Sequence, residues 1–197
     1  MSDPLVPVGE GHTEVSEEDR VGLLPTYIAT RGELFQAEEE NIAAATFGRK
    51  PAAQTLLDDL YLRRLHQAMF DQVWKWAGKY RTRETNIGIE PTLISAALRE
   101  LVHNTRVWVE LSSFDADETA VRFHHRIVQI HPFVNGNGRH GRIAADLLIR
   151  ALGRDPFTWG RNLSVGTAEL RARYHAALRR VDADPDDIVD LAAFARS

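Results

Sequence analysis

Between His131 and Arg142 the chain reads HPFVNGNGRHGR, a run crowded with groups that suit an anion. Gly136 and Gly138 can take positive φ, which turns successive backbone amides inward as an anion-binding nest. The run feeds into a helix expected to start near Arg139, whose unpaired amides and positive dipole end point at whatever sits there. Arg139 and Arg142 are three apart and share a face of that helix, each offering a guanidinium fork to phosphate oxygens. Two arginines on one nest point to a polyphosphate. The Asn137 amide is a further donor to phosphate oxygens. His131, fixed by Pro132, carries an imidazole that titrates near neutral pH and suits a general base taking the proton of an attacking hydroxyl. Phe133 is expected to lie buried beneath the loop as its anchor, and Asn135 offers a carbonyl oxygen to a magnesium ion, a weaker ligand than a carboxylate.

Such side chains need rigid supports, and the apolar spacing supplies helices. From Thr30 the segment RGELFQAEEENIAAATF reads as a first helix. Gln54–Trp76 places Leu57, Leu60, Tyr61, Leu65, Met69, Val73 and Trp76 three or four residues apart and predicts one long core helix ending at Gly78. YRTRETNIGIEP follows, rich in β-formers and punctuated by Asn86, Gly88 and Pro91; it reads as a short hairpin or an extended loop, the only plausible β element. Three helices follow on Ile94–Trp108, Val121–Val128 and Ile143–Leu152, the last two flanking the loop. Thr167 reads as the N-cap of a helix carrying Leu170, Tyr174, Ala177, Leu178 and Val181, and Pro185 as the start of a short terminal helix. The expected fold class is mainly α, a helical bundle with a small β flap. Residues 1–20 mix Pro, Gly and six acidic side chains with no apolar face and are expected to form a mobile or draped arm ahead of one domain over 21–197.

Composition narrows the function classes. The 197 residues carry a formal net charge of −4, which gives no overall basic field for nucleic acid. With Cys absent there is no disulfide framework, thiolate metal site or cysteine nucleophile, and a reducing compartment, the cytoplasm, is expected. Met1–Asp19 has neither a positive n-region nor an apolar h-region, and no run approaches the ~18 apolar residues of a membrane span, so neither export nor membrane insertion is expected.

The motif resembles the signature of the Fic family, His-x-Phe-x-Asp/Glu-Gly-Asn-Gly-Arg-x-x-Arg, matched at every defined position except Asn135. VWKWAGKYR and TRETNIGIEP look like the family's pre-flap helix end and target-docking flap, so the resemblance covers roughly Leu56–Leu152, inside a core of 54–152 that leaves 21–50 as an N-terminal segment and 153–197 as C-terminal helices. It implies a protein adenylyltransferase that moves AMP from ATP, with Mg2+, to a Ser, Thr or Tyr hydroxyl of a target protein. His131 is then the base, Gly136, Asn137, Gly138 and Arg139 the phosphate cradle, and Arg142 the holder of the terminal phosphate. Asn135 takes the magnesium position with one negative charge fewer. The flap residues Thr82, Arg83, Glu84, Thr85, Asn86, Ile87, Gly88 and Ile89 would pair with the target by strand addition. QAEEEN, Gln36–Asn41, resembles the family's inhibitory helix, so an ion pair between Glu40 and Arg142, with Asn41 beside it, is expected to block ATP. The alternatives on this fold are removal of AMP, transfer of another phosphoryl-linked moiety, or a nucleotide-binding module weakened at Asn135. A toxin role, with an antitoxin as partner, is compatible with so small a form, as is a homo-oligomer.

Two other constellations bear on chemistry. His124, His125, His131 and His140 suggest zinc, but no carboxylate completes a recognised spacing, and stacking or capping is the commoner fate. Trp74, Trp76, Trp108 and Trp159 can stack an adenine, but their spacing reads first as core.

Overall fold

A computed structural model describes residues 21–197; the arm expected over 1–20 lies outside the described residues. Helix α1, Arg31–Thr46, starts on a capping box in which Thr30 Oγ1 accepts from Glu33 N and Glu33 Oε2 accepts from Thr30 N. Its buried face holds Glu38, Asn41 and Ile42. Asn41 donates to Ala68 O at 3.0 Å and accepts from Gln72 N at 3.0 Å, fastening α1 across the end of a neighbouring helix.

The long helix expected over 54–76 is instead two, α2 Ala53–Leu56 and α3 Asp59–Phe70. Asp58 breaks it: its backbone is extended and its side chain accepts from Tyr61 N at 2.8 Å, so it caps α3 rather than continuing α2. The apolar period survives the break because Leu57, Leu65, Met69 and Val73 all reach the same core. Helix α4, Ile94–Leu111, follows a 3-10 turn at Pro91–Leu93, and α5, Ala116–Ile130, is capped by Asp115. Helix α6 is Asn137–Ala151. Helix α7, Thr167–Ala183, has Gly166 at its N-cap, so Thr167 is its first helical residue and not the cap. Pro185 sits in a turn, and α8 begins later, at Val189–Arg196.

Helices α5 and α6 pack side by side, and Phe123, Ile127 and Ile130 on one and Ala144, Ala145 and Leu148 on the other are all buried. Gly141 lets the two helices approach, since a Cβ there would stand 3.1 Å from His124 Nδ1 and 3.4 Å from Ile127 Cγ2, and the loop 131–136 joins them. Trp74, Trp76 and Trp159 are buried, and Trp108 meets Phe114 edge-on at 5.5 Å. No strand forms among the described residues; residues 80–90 are the extended loop of the two alternatives, touching the motif through one antiparallel bridge, Tyr80 to Phe133. No helix among the described residues is long and apolar enough to cross a membrane.

Candidate active site

His131 ends α5 as its C-cap at φ 52, a left-handed turn that halts the helix and swings the chain into the motif. Its Nδ1 lies 3.3 Å from Val128 O; a carbonyl only accepts, so Nδ1 carries the hydrogen and the lone pair is on Nε2. Burial lowers its pKa to about 4, against the opposing bond to Val128 and with a smaller push from Arg81. At pH 7 the ring is a neutral base.

The nest forms one residue later than the glycine spacing suggests. Gly136 caps α6 at φ 77, and a Cβ there would stand 2.6 Å from the Phe70 ring, so the loop lies flush on that ring. Gly138 does not take positive φ: it is helical, lines the cavity, and a Cβ there would meet nothing within 4 Å. Its missing side chain leaves room where an anion would approach. The first backbone bond of α6 runs from His140 N to Gly136 O, so the amides of Asn137, Gly138 and Arg139 face out of the helix end.

Four side chains expected on phosphate or in a brake, those of Asn137, Arg139, Glu40 and Asn41, are placed otherwise. Asn137 is buried with its amide turned inward, Oδ1 accepting from Phe133 N at 2.9 Å and Nδ2 donating to Phe133 O at 2.8 Å; it closes the loop and leaves phosphate to its backbone amide. Arg139 and Arg142 diverge. Arg139 pairs with Glu38 at 2.8 Å and lies over Phe70, whereas Arg142 lies over Tyr174 and lines the cavity. Glu40 is exposed, accepts from Gln36 Nε2 at 2.9 Å and makes no pair with Arg142. Two residues on a helix are about 200° apart, so when Glu38 faces Arg139 and the Trp74 indole N–H, 2.7 Å away, Glu40 must face solvent. Asn41 serves as the fastener of α1 described above.

Asn135 Oδ1 accepts from Gly136 N at 2.5 Å, and among the described residues no three His, Cys, Asp or Glu side chains could hold a metal ion. This donor set does not fit a protein-anchored magnesium ion, which prefers carboxylates. The histidines whose spacing suggests zinc take separate partners: His124 meets Tyr174 OH, His125 donates to Asp182, and His140 donates to Leu62 O.

Two supports were not singled out from the sequence. His66 is fully buried; its Nδ1 accepts from Gly78 N at 3.0 Å, so Nε2 donates to Asn135 O at 3.0 Å and holds the loop from below. Burial, then the neighbouring His140, keeps its pKa well below the usual histidine range. Phe133, fully buried as expected, stacks on His66 with centroids 3.6 Å apart and meets His140 edge-on. The available signal was a histidine on the Leu62–Leu65–Met69 face. Arg81, also buried, donates to His131 O at 2.7 Å, to Arg83 O at 3.0 Å and to Ile89 O, and so ties the flap to the motif. Asn86, Ile87, Gly88 and Ile89 join His131, Gly138, Arg142 and α7 around one cavity of about 1140 Å3, room for a nucleotide and part of a second substrate. Thr82, Arg83 and Glu84 are exposed on the outer part of the flap, and Thr85 donates to Ile87 O.

Residues 56–149 match the model of the Fic/DOC family. Over 109 residues, 53% of this chain, the sequence is 32% identical to a Fido domain-containing protein of Dictyostelium discoideum, of which the match covers 71%. Over a stretch of the same length it is 29% identical to the protein adenylyltransferase fic-1 of Caenorhabditis elegans, covering 52% of this chain and 19% of that one. The chain thus spans about a fifth of that longer relative. The fold is shared with BepC of Bartonella tribocorum, a VirB-translocated effector solved with bound AMPPNP: TM-score 0.68, 16% identity, 92% of this chain and 97% of that one.

Proposed function

The chain belongs to the Fic/DOC family, and we propose that within it the chain is a protein adenylyltransferase that moves AMP from ATP onto a Ser, Thr or Tyr hydroxyl of a target protein. The observation that carries this reading is a neutral His131, its lone pair on Nε2, sharing one cavity with the amide end of α6 and with Arg142. The adenylyltransferase named among the relatives and the AMPPNP in the related structure support the choice of ATP and AMP.

The target hydroxyl oxygen attacks the α-phosphorus and its proton passes to His131 Nε2. The bond from that phosphorus to the bridging oxygen breaks, and pyrophosphate leaves with the electron pair. The amides of Asn137, Gly138 and Arg139 and the guanidinium of Arg142 take up the phosphate charge. The target segment lies along the flap from Thr82 to Ile89, with Arg81 holding flap and base in register. The absence of cysteine suits work in the cytoplasm.

One observation favours a second reading, a slowed transferase or a nucleotide-binding module: Asn135 gives the site no carboxylate, and its oxygen is already bonded to Gly136 N. Incubating the chain with cell lysate and ATP separates the two. Mass spectrometry should find AMP on hydroxyl side chains of one or a few proteins; a proteome with no adduct, or with phosphate in place of AMP, would sink the transferase reading.

A further inference from the structure

Arg142 lines the cavity from α6, and its guanidinium lies 5.5 Å from the centroid of the Tyr174 ring on α7. An arginine side chain has many rotamers, and a ring face at that distance attracts the cation and narrows where it can lie. The ring is itself held. Tyr174 is 8% exposed, its hydroxyl stands 2.9 Å from Nε2 of His124 on α5, and its ring is tilted against Phe194 on α8 with centroids 5.6 Å apart. His124 is fully buried, and its ring is tilted against Trp159 at 4.5 Å. The Trp159 indole N–H donates in turn to Asp146 at 3.0 Å. Gly141, the residue before Arg142, lets His124 sit against α6. Burial drives His124 down to about 3 and Tyr174 up to about 12, so both are neutral at pH 7 and neither adds a charge beside Arg142. Three helices thus converge on one tyrosine: α7 supplies it, α5 anchors its hydroxyl, and α6 rests an arginine on its face.

We propose that Tyr174 is a positioning residue for the transfer: anchored through His124, it sets the Arg142 guanidinium where the terminal phosphate of ATP lies, and so makes the site prefer a nucleoside triphosphate to a monophosphate. The inference rests on the transferase reading, in which Arg142 takes up phosphate charge. Tyr174 acts through Arg142 and carries no part of the chemistry itself. A guanidinium fork that is already oriented loses less freedom when it closes on phosphate oxygens, so the ring raises affinity for the ligand that reaches the fork. AMP has no terminal phosphate to reach it, and its affinity does not depend on the ring.

The test titrates the full chain with AMP and with a non-hydrolysable ATP analogue by calorimetry. Wild type should bind the analogue about tenfold tighter than AMP or better. Tyr174→Leu should weaken the analogue about tenfold and AMP less than about twofold, and Tyr174→Phe, which keeps the ring and gives up its anchor, should fall between the two for the analogue. In an Arg142→Ala background, Tyr174→Leu should cost less than about twofold more, because it acts through that side chain. A merely structural tyrosine would weaken both nucleotides alike and would still do so without Arg142; either result overturns the proposal. So does a Tyr174→Phe chain as weak as Tyr174→Leu, or a wild type that binds the two nucleotides alike. A measurement on wild type stands apart from the folding of any variant. The Arg142 Nε–H signal in NMR, assigned by its absence in Arg142→Lys, should be moved upfield by the ring and should shift on adding the analogue but not AMP; a signal without that upfield shift, or one that ignores the analogue, overturns the proposal as well. A chain that shows these affinities but transfers nothing to any protein overturns the transferase reading alone; one that transfers AMP while Tyr174→Leu binds the analogue like wild type overturns only the role of Tyr174.

Discussion

At Gly88 a methyl group has no room. A Cβ there would lie 2.6 Å from Arg81 Nη2 and 2.6 Å from His131 Cβ, at a φ of 112. Gly88→Ala should therefore push the base and the flap apart: transfer falls at least tenfold, stability falls by about 1–3 kcal/mol, and ATP affinity changes little. Single-turnover kinetics with a melting curve check this, and wild-type kinetics in the variant would show that the flap does not set the base. Asn135→Asp tests the magnesium position. It restores a carboxylate while keeping an acceptor for Gly136 N, so magnesium-dependent transfer should rise about tenfold; a magnesium titration that superimposes on wild type would refute it. The motif's residues were legible because their spacing is local. Arg81 and His66 were not, because their partners are backbone carbonyls 50 and 69 residues away. For Asn137 only the side chain differs from the expectation, because nothing in its spacing says that its side-chain amide folds back onto Phe133.

The helices were legible from apolar period, and their ends from capping chemistry only in part. Asp58 is a strong N-cap residue inside a continuous apolar pattern, and the cap broke the helix where the pattern alone would have carried it on. The phase of α1 was the costlier miss: three consecutive glutamates look alike in sequence, but only Glu38 lies on the face that Asn41 and Ile42 share. Asn41→Ala should release α1 from α3 by leaving Ala68 O and Gln72 N without their side-chain partner. The expected cost is about 2–3 kcal/mol, read as a lower urea midpoint with an unchanged slope. A loss below about 0.5 kcal/mol would mean that α1 is held by its apolar contacts alone.

Across the whole molecule, stability should fall with acid. In the folded chain His131 and His140 titrate at about 4 and His124 at about 3, against an ordinary 6.5, and burial is the main cause for each. The unfolded chain thus binds these protons first, so the stabilisation is full above about pH 6.5 and is lost as pH falls toward 4, on the order of 3 kcal/mol per histidine. Asp146 opposes this: burial raises it from 3.8 to about 6, so its contribution is full below 3.8 and lost as pH rises through 6. Three groups outweigh one, so the urea midpoint should drop steadily from pH 7 to pH 4.5; a midpoint that rises over that window would contradict the burial of these rings. The central claim, that His131 is the base of AMP transfer, has its most direct test in ATP labelled on the α-phosphate and given to wild type and to His131→Asn. Asparagine tolerates the φ of 52 at this position better than alanine would, so the variant should keep the loop and its ATP affinity. The expected result is α-label on protein with wild type and none with the variant, both binding ATP alike; label transferred by His131→Asn at the wild-type rate would contradict it.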